Sequence, residues 1–133
     1  MDIQQHGINE QHLNIIYTFA YRLSGNEKVA EKLTTNVFLE HYTSGDKEIL
    51  LLLKNLWQDF RESYGFLPLQ GEKPAQKILL ALPPELRSVV ILKDIFGYRY
   101  EQIAAVLDII PQEVSRMLTQ GRQEMRKICQ RCK

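Results

Sequence analysis

The fold of this chain is decided by residues 81–128, which read ALPPELRSVVILKDIFGYRYEQIAAVLDIIPQEVSRMLTQGRQEMRKI. Two consecutive prolines are typical of a helix start, and Gly97 can end that helix. Residues 100–107 then have the apolar spacing of a short helix, and a longer helix is predicted from residue 111 or 112. Asp108 lies in the turn between them and is among the few residue types that tolerate a left-handed backbone. Two helices joined by so short a turn form a helix-turn-helix.

The last predicted helix has an apolar side and a polar side. Its apolar side recurs at three- and four-residue steps and comprises Val114, Leu118, Gly121, Met125 and Ile128. The opposite side carries amides, hydroxyls and guanidinium groups, which bond base edges and phosphates. We therefore predict DNA contact by Gln112, Ser115, Arg116, Thr119, Gln120, Arg122, Gln123 and Arg126. The alternative interpretation is a solvated face without a nucleic-acid role.

The charge of the chain is unevenly distributed along its length. The net charge is only +1 over 133 residues, yet residues 1–66 hold six Lys/Arg against nine Asp/Glu, whereas residues 67–133 hold eleven against seven. From residue 111 onward, six basic residues are opposed by two acidic ones. This bias favours a phosphate backbone as partner, although basic C-terminal helices are also common in other proteins.

Helical periodicity continues through the N-terminal half, without an alternating strand pattern. We predict an all-α fold of two small helical domains, with Gly25 ending the first helix and Asn26 and Asp46 as N-caps of the next two. Residues 1–64 form the first domain, residues 65–74 a linker with two Gly and two Pro, and residues 75–133 the second domain. The predicted inner faces of the three N-terminal helices are Leu13, Ile16, Tyr17, Ala20 and Leu23; Ala30, Leu33, Val37 and Phe38; and Ile49–Leu53, Leu56, Trp57 and Phe60.

These patterns resemble a known family. The segment ALPPELRSVVILKDIFGYRYEQIAAVLDIIPQEVSRML resembles region 4 of the sigma-70 family, in particular its extracytoplasmic-function (ECF) group. Independently, AYRLSGNEKVAEKLTTNVFLEHY and KNLWQDF resemble parts of region 2 of the same group. The resemblance covers about residues 13–128, and two regions in the family's order are more specific than either region alone. It implies a region 2-like three-helix bundle followed by a region 4-like helix-turn-helix.

The resemblance also implies the partners and the residues that meet them. Region 2 would dock on core RNA polymerase and engage the −10 element of promoter DNA, region 4 would read the −35 element, and an anti-sigma factor is a further partner. The polymerase-docking residues would be Asn26, Glu27, Ala30, Glu31, Leu33, Thr34, Asn36, Val37 and Phe38. Tyr98, Tyr100, Glu101 and Gln102 would support the helix-turn-helix, and Glu113 joins the DNA-facing candidates.

This sequence departs from the family pattern at several points. The docking helix has Val29, Lys32, Thr35 and Asn36 where more acidic residues and a Gln are usual, and the recognition helix has Ser115, Met117 and Gln120 where basic residues are usual. The stretch from Tyr42 to Asn55 is about nine residues shorter than the family's, which would remove the loop that captures a flipped −10 base. Two hypotheses therefore remain: an alternative sigma factor, or a sigma-like adaptor that acts through protein contacts without melting DNA.

Other functional classes are poorly supported. His6, His12 and His41 have no sequence-local nucleophile or carboxylate pair, so we expect no enzyme. Cys129 and Cys132 supply only two of the four ligands that zinc needs, so we predict no metal or other cofactor and favour two free thiols. The longest apolar run, Ile49–Leu53, cannot span a bilayer. Because the N-terminus also lacks signal-peptide features, we expect a cytoplasmic protein with reduced thiols.

Overall fold

A computed structural model describes residues 10–44, 48–65, 67, 69–71 and 73–131, and every regular element in these ranges is helical. The predicted all-α fold is therefore confirmed. The elements are α1 (Glu10–Ser24), α2 (Glu27–Ser44), α3 (Ile49–Tyr64), α4 (Pro74–Leu80), α5 (Pro84–Val90), a π-helical segment (Ile91–Ile95), α6 (Tyr100–Leu107) and α7 (Pro111–Arg131).

The turn between α1 and α2 follows from three consecutive residues. Ser24 is buried and donates its hydroxyl to the carbonyl of Ala20 at 2.8 Å. Gly25 has a φ of 67°, and its Cα faces the Leu80 side chain so closely that an added Cβ would lie 2.6 Å from Cδ1. Asn26 then accepts the backbone N–H of Val29 at 3.1 Å. The predicted helix end and N-cap are both confirmed, whereas the predicted cap Asp46 lies outside the described residues.

In the C-terminal half, α5 continues into a π-helical segment before the helix ends. Five residues after α5 adopt π-helical hydrogen bonding, with the N–H of Phe96 donating to the carbonyl of Ile91 at 3.1 Å. Gly97, with a φ of 74°, ends this segment as predicted. Asp108 has φ 59° and ψ 48°, so the turn before α7 uses the left-handed conformation that the sequence allowed. The Cα of Gly121 packs against Val90, which brings α7 close to α5.

The two predicted domains pack against each other over a continuous apolar core. This core extends from Ile16 in α1 to Leu118 in α7, and α3 packs directly on α6. The rings of Phe19 and Phe96 meet edge-on with centroids 6.4 Å apart. Leu69, within the predicted linker, also packs on the core. The domain boundaries at 64 and 75 remain a prediction, but the described halves share one interior.

One buried charge connects the halves. The side chain of Arg87 in α5 donates from Nη1 to the carbonyl of Leu23 at the end of α1, at 2.7 Å. Its Nε donates to Leu79 O at 2.9 Å, and its Nη2 donates to Leu82 O at 2.8 Å and Leu80 O at 3.3 Å. Burial lowers the pKa of Arg87 to about 10, against a smaller opposing effect of a nearby carboxylate. The guanidinium therefore donates to carbonyls at the ends of α1 and α4 and in the turn that follows α4, of which Leu79 O also accepts the N–H of Leu82 at 3.1 Å.

Candidate nucleic-acid interface

The outward side of α7 is the candidate interface. Its core-facing side is formed by Val114, Met117, Leu118 and Gly121, which are buried, with Met125 and Ile128 packed against the core. The predicted inner side is thus confirmed. Met117 is also buried, so its lack of a basic side chain is a consequence of packing and not a departure at a DNA-facing position.

The nine DNA-facing candidates share the opposite side of α7, which we call the recognition face. All of them are exposed except Glu113, which is partly buried. They are Gln112, Glu113, Ser115, Arg116, Thr119, Gln120, Arg122, Gln123 and Arg126. No large apolar side chain interrupts this set, so its surface offers amides, hydroxyls and guanidinium groups to a ligand. The structure brings these residues together; whether they contact DNA remains a prediction.

Glu113, Arg116 and Gln120 form a hydrogen-bonded group on the recognition face. Arg116 donates from Nη2 to Glu113 Oε2 at 2.7 Å, from Nε to the same carboxylate at 3.2 and 3.3 Å, and from Nη1 to Gln120 Oε1 at 3.4 Å. These hydrogen bonds lower the pKa of Glu113 and raise that of Arg116. The Arg116 fork is therefore held along the helix surface by neighbours one turn away on either side.

Arg122, at a flank of the recognition face, is held by a residue from outside α7. Arg122 donates from Nε to Asp94 Oδ2 at 3.2 Å and from Nη2 to Asp94 Oδ1, and these bonds raise the pKa of Arg122. Asp94 belongs to the π-helical segment, 28 positions earlier in the chain. Sequence reasoning missed Asp94, because no local spacing relates a residue before the helix-turn-helix to one within its second helix.

The loop before α6 positions the helix-turn-helix. The Lys93 ammonium donates to the carbonyl of Tyr98 at 3.2 Å and lies 5.2 Å from the centroid of the Tyr100 ring. Tyr98 packs on the core, and burial raises its pKa. Gln102 accepts the backbone N–H of Arg99 at 2.9 Å and so closes the first turn of α6. Glu101, the fourth residue expected to support this motif, is exposed.

The residues predicted to dock on polymerase divide into two groups on α2. Ala30, Leu33 and Val37 are at most 2% exposed and belong to the core, and Thr34 is buried with its hydroxyl bonded to Ala30 O at 2.7 Å. These four support the helix from inside and cannot meet a partner directly in this conformation. Asn26, Glu27, Glu31 and Asn36 are exposed, and Phe38 is partly buried.

A further α2 residue belongs to the exposed surface. Leu39 is 65% exposed and continues the four-residue step of Glu27, Glu31 and Thr35 along the helix. Leu39 thus adds an apolar side chain to an outward row that also carries two carboxylates. The spacing was readable in the sequence, but only burial shows that this row faces outward.

The part of the chain that the structure describes holds no cluster of three or more His, Cys, Asp or Glu residues able to bind a metal ion. Cys129 is exposed near the end of α7, whereas Cys132 lies outside the described residues. None of the described helices is long and apolar enough to cross a membrane.

Comparisons with known proteins agree with this arrangement. Residues 73–125, which include α4 to most of α7, match the family model for sigma-70, region 4. The solved structure of the sigma factor RpoE in complex with the anti-sigma factor NepR from Bartonella quintana has the same fold, with a TM-score of 0.75. The superposition covers 90% of this chain and 92% of that one at 18% sequence identity.

A curated relative extends the match to both halves. The ECF RNA polymerase sigma factor SigE of Mycolicibacterium smegmatis is 32% identical over 148 aligned residues, which include 87% of this chain. The chain spans 58% of the length of that relative. The region 4 match and the 32% identity to SigE together support a member of the sigma-70 family, in its extracytoplasmic-function group.

Proposed function

We propose that the chain is an alternative sigma factor that binds core RNA polymerase and directs transcription initiation at particular promoters. The recognition face carries this proposal, because it is exposed, free of large apolar side chains and mounted on a helix-turn-helix within the matched region 4. In such motifs the second helix enters the major groove. Here that helix is α7, which would read the −35 element.

The chemistry of the recognition face suits base reading. Arginine bonds guanine bidentately, and glutamine bonds adenine bidentately. Arg116 and Gln120 lie one turn apart and are linked through Nη1 and Oε1, so both side chains reach the same part of the groove. Glu113 holds the guanidinium group of Arg116 in place and can itself accept a hydrogen bond from the amino group of cytosine.

Core polymerase would bind the outward row of α2. The row consists of Glu27, Glu31, Thr35 and Leu39, which combines negative charge with one apolar contact. Its acidic character suits a basic partner surface. A protein with these two surfaces is a DNA-binding regulator and not an enzyme, and it works in the cytoplasm with polymerase and promoter DNA as partners. An anti-sigma factor would compete for one of the same surfaces.

Promoter melting is a separate question from promoter binding. The alignment with SigE extends over 148 positions although it includes only 87% of this 133-residue chain, so the relative has residues in the aligned region that this chain lacks. A shortening between Tyr42 and Asn55 remains a prediction from the sequence, and it is the feature on which the adaptor hypothesis rests.

The first test is a titration of the purified chain against core RNA polymerase, followed by transcription from a promoter library. We expect co-elution with core and new transcripts. Co-elution without transcripts on any template, including templates with a premelted −10 region, would support a polymerase-bound adaptor. Failure to bind core would contradict the proposal.

The recognition face is tested separately by DNA retention. Arg116→Ala combined with Gln120→Ala should abolish specific retention, because each bidentate contact contributes about 1–3 kcal/mol of discrimination. The matched control is Lys127→Ala combined with Gln130→Ala, which removes the same charge and the same amide further along α7. Unchanged retention in the first variant, or equal loss in both, would contradict the assignment of the recognition face.

A further inference from the structure

Two arginines of the recognition face are each held by a carboxylate: Arg116 near the middle of the face and Arg122 at its flank. Arg116 and Arg122 are six residues apart, which places them about 120° apart around the helix axis. Glu113, the partner of Arg116, comes from the same helix. Asp94, the partner of Arg122, comes from the π-helical segment beside α7.

The pairing with Asp94 leaves part of the Arg122 guanidinium open. A guanidinium has five N–H donors in a planar fork. Asp94 accepts from Nε and Nη2, so both donors of Nη1 and the second donor of Nη2 remain for a ligand. The side chains of Arg122 and Asp94 are 44% and 38% exposed, so an anion can approach the open edge from solvent. That edge has the geometry for bidentate contact with a phosphate.

The position of Arg122 favours the DNA backbone over the bases. The side chain lies beside the buried strip of α7, on the border between the recognition face and the π-helical segment. When a helix occupies the major groove, the centre of its outward side faces base edges and its flanks face the sugar-phosphate strands. A flanking arginine with an open fork therefore suits one backbone phosphate.

We propose that Asp94 is a positioning residue for DNA binding: it holds the guanidinium of Arg122 in the orientation in which that group binds a backbone phosphate at the edge of the groove. This proposal rests on the proposed function. Because Arg122 is already fixed by Asp94, binding does not have to immobilise that long side chain. Loss of this preorganisation should weaken binding about three- to tenfold.

The competing interpretation predicts a change of opposite sign. If Asp94 merely neutralised Arg122, Asp94→Asn would add one positive charge near the DNA and strengthen binding. Under the positioning proposal, the same substitution weakens binding although the net charge rises. Glu124→Gln is the matched control, because it also removes one carboxylate and breaks the pair with Lys127 on the same helix.

The experiment measures the dissociation constant of the full-length chain for a 30-base-pair duplex selected from a randomised library by the wild-type chain, over a series of salt concentrations. We expect Asp94→Asn to bind about three- to tenfold more weakly and Glu124→Gln to bind as tightly as wild type or more tightly. Asp94→Glu, which keeps the carboxylate, should recover most of the affinity. Arg122→Ala should make the negative slope of log K against log salt concentration shallower by about 0.9, as expected for one lost phosphate contact.

A double-mutant cycle separates positioning from general damage to the fold. In the Arg122→Ala background, Asp94→Asn should cause no further weakening. Tighter or unchanged binding by Asp94→Asn, or a full additional loss in the Arg122→Ala background, would overturn the positioning role while leaving the proposed function intact. Failure of the wild-type chain to select or retain any duplex would overturn both.

Discussion

Arg87→Met is the substitution that most directly tests how the two halves are held together. Methionine retains much of the arginine stem but removes the guanidinium that reaches Leu23 O in α1, Leu79 O in α4 and Leu82 O between α4 and α5. The variant therefore removes the arginine donor from Leu23 O and Leu82 O, whereas Leu79 O keeps the N–H of Leu82, and the packed volume is nearly preserved. We expect the free energy of unfolding to fall without a change of fold.

The size of the loss follows from the bonds removed. Three of the four hydrogen bonds are 2.9 Å or shorter, and a hydrogen bond from a charged group contributes about 1.5–3 kcal/mol. The sum is an upper limit, because the contributions are not additive and because burial of the Arg87 charge opposes folding, as its lowered pKa indicates. We expect a loss of about 3–5 kcal/mol, because each buried carbonyl that loses its donor costs about 1–3 kcal/mol. This is a large fraction of the stability of an ordinary domain.

The assay is urea denaturation followed by both far-ultraviolet circular dichroism and tryptophan fluorescence. Trp57 is the single tryptophan and is 2% exposed in α3, so its fluorescence reports on the N-terminal half while the substitution is in the C-terminal half. We expect one transition by both probes, at lower urea in the variant. Arg126→Met, the same chemical change at an exposed position, should alter stability by less than about 0.5 kcal/mol. A loss below about 1 kcal/mol, or a fluorescence transition independent of the dichroism transition, would refute the reasoning.

Three further predictions concern the helix-turn-helix. Asp108→Val should lower the free energy of unfolding by about 1–2 kcal/mol, because a β-branched residue is strained at a φ of 59°. Asp108→Gly should not lower it. Equal effects of the two substitutions in urea denaturation would contradict this prediction. Gly121→Ala should lower the free energy of unfolding by about 1–3 kcal/mol in the same assay, because the new Cβ would lie 2.9 Å from Val90 Cγ2. An unchanged free energy of unfolding would show that α5 and α7 separate easily. Arg116→Ala should raise the pKa of Glu113 from its lowered value to the ordinary 4.5, measured by NMR titration. Because the pKa of Glu113 is lowered in the folded state, the pair with Arg116 stabilises the fold at pH values above the ordinary pKa, and this stabilisation is lost as the pH falls through the lowered pKa. An unchanged titration of Glu113 in the Arg116→Ala variant would show that the pair does not form.

Much of the fold was predictable because its signals are local. The left-handed Gly25, the Asn26 cap and the left-handed Asp108 depend on backbone preferences of single residues, which hold wherever the residues occur. The inner side of α7 follows from helical period, since an amphipathic helix has one way to bury its apolar side, whereas the predicted inner side of α1 omitted Phe19, which is fully buried. The helix-turn-helix and its polar recognition face could therefore be read in advance.

The division of α2 into core and surface was harder to read. Ala30, Leu33 and Val37 were predicted both to form the inner side of the helix and to dock on polymerase, and burial excludes direct contact in this conformation. The exposed row that ends at Leu39 could be identified only once the neighbouring helices had covered the other side.

The sequence by itself determined most of the helices, the ends marked by Gly25, Asn26, Gly97 and Asp108, and the side of α7 that remains polar, because these depend on residues within one or two turns of each other. Only the tertiary structure decided which distant groups meet. Arg87 reaches Leu23 across 64 positions, and Arg122 reaches Asp94 across 28. Such contacts depend on how helices stack and cross, and side-chain packing over the whole core, rather than any local preference, sets that geometry.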